Sequence, residues 1–184
     1  DSLIPNNNLK PLPPVVNIET KEVLKKCISV SRNLAELKGA ANEIPNPSIL
    51  INSLILKEAK SSSEIENIIT TNDELYRAFS SSSTRIDAHT KEVLNYREAL
   101  WAGFNKLKSS GLLTTNSFIE IVQILKQNSS GIRTMPGTVI KNAVTDEIIY
   151  TPPVGESIIR SLLGKLEKFI NNDDDGFDPL IKLA

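Results

Sequence analysis

Apolar positions recur every three to four residues along most of this chain and every second residue in one short stretch. Thr20 precedes Val23, Leu24, Cys27, Ile28, Leu34 and Leu37, a stripe that predicts a helix ending near Gly39. Pro47 suits the first turn of a second helix, and apolar positions from Ile49 to Ile69 keep helical spacing around Ser61, Ser62 and Ser63. Serine competes for backbone hydrogen bonds, so the run EAKSSSEIENII has two readings. Either one helix ends and the serines cap the next, or the helix continues and sets Ser62 and Glu66 on one face. TTNDELYRAF predicts a short capped helix, and SSSSTRID a flexible connection.

From Thr90 a long helix carries Val93, Leu94, Leu100, Trp101, Phe104 and Leu107 on a broad face, where Trp101 reads as core. Another helix follows at about 115 to 127. The period then changes. β-Branched runs at Thr138–Ile140 and Glu147–Tyr150 flank a polar turn, which predicts a hairpin closed by Pro152 and Pro153. The strongest helical stripe spans about 156 to 170, and Asp178 caps a last helix with Pro179 in its first turn. Residues 1–17 are rich in Pro and Asn and read as an extended arm packed on its own domain. The fold class is mostly α with one β-hairpin.

Charge narrows the functions. With 21 basic and 22 acidic residues, the 184-residue chain has no general field to attract nucleic acid or a membrane surface. No run of about 18 apolar residues suggests a membrane span. Cys27 is the single cysteine, so neither an intramolecular disulfide nor a cysteine metal site can form, which suits a cytoplasmic protein. His89, the single histidine, has no neighbouring ligands in sequence and reads as structural or solvated. Asp173, Asp175 and Asp178 around Gly176 suggest a calcium loop, but the bidentate Glu such a loop needs is absent, and a polar turn with a helix cap is the reading kept. No metal site and no phosphate-binding glycine loop is expected. The hairpin is either a connector or a dock to which a partner's extended segment adds a strand.

Read in order, PLPP, PNPSILINSLILKEAKSSSEIEN, KEVLNYREAL, GIRTMPGTVIKNAVTDEIIYTPP and SIIRSLLGKLEKFI resemble Fic-domain proteins, which typically transfer AMP from ATP to a protein hydroxyl. The resemblance spans nearly the whole chain. It implies an N-terminal Fic-associated region over 1–87 with an inhibitory helix, and the first part of a Fic core over 88–184. The family's inhibitory motif is Ser or Thr, three residues, Glu, then Gly or Asn; Ser62, Glu66 and Asn67 match it in the arrangement with an N-terminal inhibitory helix. By resemblance, Glu66 forms a salt bridge with the arginine that otherwise holds the ATP γ-phosphate. Bidentate arginine pairing makes the two occupants mutually exclusive.

The resemblance also makes the hairpin the family's flap, where Thr138, Val139, Ile140, Ile148, Ile149 and Tyr150 register a protein target through main-chain hydrogen bonds. Val122 departs from the His that many relatives carry, and MPGTVI is a variant of the commoner flap approach. The catalytic signature, His-Pro-Phe-x-Asp/Glu-Gly-Asn-Gly-Arg-x-x-Arg, does not occur in the sequence. Its place by resemblance is shortly after the helix at Asp178, so the natural polypeptide is expected to continue. ATP and magnesium are then cofactors of the complete protein, and neither is expected on this chain alone, which is expected to be inactive. Leu180, Ile181 and Leu183 should leave apolar surface exposed, with self-association into a homo-oligomer as one outcome. The rival expectation is a stand-alone helical interaction module without enzymatic activity.

Overall fold

The computed structural model describes residues 2–41, 43–80 and 86–183. Most of the SSSSTRID connection, residues 81–85, lies outside them. Seven helices are formed among the described residues: α1 (Lys21–Ala41), α2 (Pro47–Ile65), α3 (Asn72–Ser80), α4 (Ala88–Ser110), α5 (Thr115–Lys126), α6 (Glu156–Ile170) and α7 (Pro179–Leu183). Strands β1 (Ile140–Lys141) and β2 (Ile148–Tyr150) make one antiparallel hairpin. The fold is mostly α with a single hairpin, as the periodicity predicts.

Local chemistry sets the helix starts. The Thr20 hydroxyl accepts from Val23 N at 3.3 Å. Thr71 and Glu74 form a reciprocal capping box: Glu74 N donates to the Thr71 hydroxyl (3.2 Å) and Thr71 N to Glu74 Oε2 (2.9 Å). Thr114 and Ser117 do the same for α5. Asp178 Oδ1 accepts from Leu180 N at 2.8 Å ahead of α7.

Asp87 opens α4, its Oδ1 accepting from His89 N (2.9 Å) and Thr90 N (3.0 Å). The Thr90 hydroxyl, and then its amide, hold the Asp87 carboxyl below the usual carboxylate range. A folded pKa below the unfolded one gives stability that is present above the unfolded value of about 3.9 and lost as pH falls through the folded value. Asp87→Ala should therefore cost about 1 kcal/mol at neutral pH, the usual worth of a cap. In acid melts its difference from wild type should close as pH falls below the ordinary carboxylate range. An unchanged gap there would show that the carboxylate charge is not what caps α4.

Leu56 and Ala59 from α2, Leu75 from α3 and Val93 from α4 form the buried core, with Ile68, Leu94 and Tyr96 packed against it. α4 also runs antiparallel along α5. A Cβ at Gly103 would meet Ile121 Cδ1 at 3.0 Å, so the glycine allows the close approach of the two helices. Lys106 pairs with Glu120 and Lys126 with Glu92 (3.5 Å) across this seam. Trp101 is half-buried and meets Phe104 edge-on at 5.9 Å, but Phe104 itself is exposed, so only part of the α4 stripe is interior. α6 has the strongest apolar stripe in the sequence, yet none of its residues is fully buried. Its Leu166 and Phe169, with Leu12, Cys27, Leu180 and Leu183, line an apolar groove of about 1560 Å³ between the arm, α1 and α7. Burial, followed by nearby Asp178 and Glu19, pushes the Cys27 thiol up, in keeping with a small packed hydrophobe.

Two boundaries differ from the periodicity. α2 passes through the serines without a break but stops at Ile65, four residues short of Ile69. The first strand begins at Ile140, leaving Thr138 and Val139 ahead of the pairing. Ile140 already faces Tyr150, the last residue of β2, so Thr138 and Val139 have no strand residue opposite them. In the turn, Asn142 Oδ1 accepts from Val144 N (2.9 Å) and Thr145 N (3.2 Å).

Candidate regulatory site

Helix α2 carries Ser62 and presents Glu66 and Asn67 just beyond its last residue. Ser63 is buried at 4% exposure, one turn from the fully buried Ala59, so a small side chain on this face lets α2 lie close to its neighbours. The Ser62 hydroxyl donates back to Glu58 Oε1 at 2.8 Å. Sequence spacing paired Ser62 with Glu66; the hydroxyl is instead turned one helical turn towards the N-terminus, as helical side chains lean.

Asn67 ends the helix. Its φ of 60° lies in the left-handed region, which asparagine tolerates better than most residues. Ile68 N donates to Ser63 O (3.0 Å) and Asn67 N to Glu64 O (3.1 Å), the bond pair of a Schellman motif. The Gly-or-Asn position of the motif is thus a backbone requirement in this chain. Glu66 sits at the cap position, exposed, and its carboxylate has no side-chain partner among the described residues.

The electrostatics are adverse. Glu58, Glu64 and Glu66 gather towards the C-terminal end of α2, and no basic residue stands in its last turn. Lys60 offsets one of them through an ion pair with Glu64 at 3.5 Å. A carboxylate at a helix C-terminus costs about 0.3–1 kcal/mol against the helix dipole. Glu66 therefore occupies a place that helix stability alone would assign to a cation. An exposed carboxylate with free lone pairs can accept both arms of a guanidinium.

The chain then returns along α4. Ile69 O accepts from His89 Nδ1 at 3.0 Å, and the Thr70 and Thr90 hydroxyls meet at 2.6 Å in a buried contact. Sequence reasoning left His89 as a structural residue without a partner. The two threonines were missed, because contacts 20 residues apart give no local signal.

The hairpin is short and bulged. Ile140 faces Tyr150 and Lys141 faces Ile148, so Ile149 is the extra residue between the pairs. Ile140 and Ile149 are exposed, and Val144 at the turn is 92% exposed. At its base the N-terminal arm is bonded: Asn6 N donates to Thr151 O (3.0 Å), and Val154 N to Asn7 Oδ1 (2.9 Å). Further along, the arm lies over α6, where Leu9 to Leu12 line a second concavity with Arg133 and Pro153.

No group of three or more His, Cys, Asp or Glu side chains among the described residues could hold a metal ion. Asp175, from the calcium-like stretch, is paired with Lys182 at 2.8 Å, and this contact holds its carboxyl below the usual range. Asp178 is engaged in capping α7. None of the helices among the described residues is long and apolar enough to cross a membrane.

The described residues form a mostly helical fold with one hairpin, and Glu66 stands at the end of its second helix. Residues 24–105, from α1 into α4, match the family model described as Fic/DOC family N-terminal. The matched stretch contains Ser62, Glu66 and Asn67.

Proposed function

We propose that this chain is the self-inhibitory N-terminal portion of a Fic-type protein AMP-transferase. Glu66 acts as the inhibitor: its carboxylate takes the arginine that would otherwise hold the γ-phosphate of ATP, so the phosphates are not aligned for transfer. The hairpin acts as the target dock, with Thr138, Val139, Ile140, Ile148, Ile149 and Tyr150 registering an extended segment of the protein to be modified. ATP and magnesium belong to the complete polypeptide, whose catalytic residues this reading places outside these 184 residues.

The observation that carries the reading is Glu66 itself. Within a stretch matched to the Fic/DOC N-terminal family lies an unpaired carboxylate, at a helix end where the dipole disfavours it. A residue kept against local stability is best explained by a partner elsewhere. The test is transfer of label from ATP, with magnesium, to protein. The 184-residue chain should give no labelled product, and the complete polypeptide should. Label from the short chain, or none from the complete polypeptide in either wild-type or Glu66→Gly form, would overturn the proposal.

A further inference from the structure

We infer that the first turn of α4, through His89 and Thr90, positions Glu66 and so sets the strength of inhibition; this rests on the inhibitory reading of Glu66. Among the described residues, no side-chain bond holds Glu66. What fixes it is the backbone on either side. Before it lies α2, packed into the core through Leu56 and Ala59. After it come Asn67 and a reversal that would be free to swing unless tied.

Two ties are present, and both come from α4. Ile69 O can only accept, so the His89 Nδ1 at 3.0 Å carries the proton and donates to it. One residue on, the Thr70 and Thr90 hydroxyls bond at 2.6 Å, with Thr90 at 1% and Thr70 at 4% exposure. Ile68, between Asn67 and these ties, packs against the core. The loop is thereby clamped at three successive residues within four positions of Glu66. Asp87 in turn caps the helix turn that bears both clamping side chains. His89 and Thr90 are positioning residues: neither is part of the Ser-x-x-x-Glu-Asn motif, and neither needs to touch the nucleotide site.

A loosened clamp should let the carboxylate sample positions that do not engage the arginine. In the complete polypeptide, His89→Ala and Thr90→Val should each raise AMP transfer by about two- to tenfold, the range for losing one neutral hydrogen bond. Thr90→Ser keeps the hydroxyl and should stay within about twofold of wild type. In a Glu66→Gly background the same substitutions should add nothing, because they act only through that carboxylate.

Unchanged transfer in His89→Ala and Thr90→Val beside a released Glu66→Gly would overturn the clamp and leave the inhibitory reading standing. An equal rise in both backgrounds would also overturn it, since the effect would then bypass Glu66. No release in Glu66→Gly itself would overturn both. His89 is exposed, so its variant decides the matter if Thr90→Val, altered at a buried site, does not fold.

Discussion

Glu66→Gly in the complete polypeptide is expected to raise auto-modification by about ten- to hundredfold. A hydrogen-bonded pair with a charged partner is worth about 1.5–3 kcal/mol, and each 1.36 kcal/mol of barrier is a factor of ten. The substitution should leave the fold intact. Glycine inside a helix costs about 1 kcal/mol relative to alanine, but Glu66 lies past the last residue of α2. Losing a carboxylate from the negative end of the helix offsets part of even that. A thermal midpoint close to that of wild type is the expected companion result. Ser62→Ala should release far less, because the Ser62 hydroxyl is bonded to Glu58 and does not hold the Glu66 carboxylate. Equal rates for wild type and Glu66→Gly would remove the inhibitory assignment. Equal release by Ser62→Ala would mean that the serine engages Glu66 when the site is complete.

Leu75→Ala is expected to have the largest effect on stability. Leu75 is 1% exposed and sits where α3 meets α2 and α4, against Leu56, Ala59 and Val93. Truncating a buried leucine costs about 2–5 kcal/mol through lost transfer energy and the cavity left behind. For a chain of this size that lowers the melting midpoint by roughly 5–15 °C. Calorimetry or denaturant titration reads it directly. A cost below about 1 kcal/mol would show that this cluster is not the centre of the core. Because α2 rests on the same cluster, the variant should also relax the end of α2, and with it the proposed inhibition.

The helix starts at Thr20, in TTNDELYRAF and at Asp178 were legible because their chemistry is local: each cap satisfies amides within three residues. Asp87 and Thr114 cap α4 and α5 in the same local way but were not singled out from the sequence. The hairpin was legible from its change of period, though its first strand begins two residues later, at Ile140, which faces the last residue of β2. Within the candidate site, Ser62, Glu66 and Asn67 were found through a motif, and their geometry was not. Spacing alone could not say that Asn67 would turn left-handed and stop α2 at Ile65. Nor could it pair His89 with Ile69 or Thr70 with Thr90, since those bonds follow from how α2 and α4 pack. The α6 stripe is clear in the sequence, yet none of its residues is fully buried. Periodicity reports which face is apolar, not how much of it finds a neighbour.

The bonds between the arm and the base of the hairpin impose an order of events on the newly made chain. Ser2 and Asn7 meet Thr151 and Val154 across 149 and 147 residues of sequence. Ser2 and Asn7 therefore wait without these partners until residues 151–154 have been made. α2 and α4 can find each other well before that, because their contacts are closer in sequence. α2 can therefore be packed on α4 while the hairpin is still being synthesised, and the arm settles only after Thr151 and Val154 are made. On the proposed reading, a nascent chain halted before Thr151 would carry Glu66 already placed and its hairpin unformed.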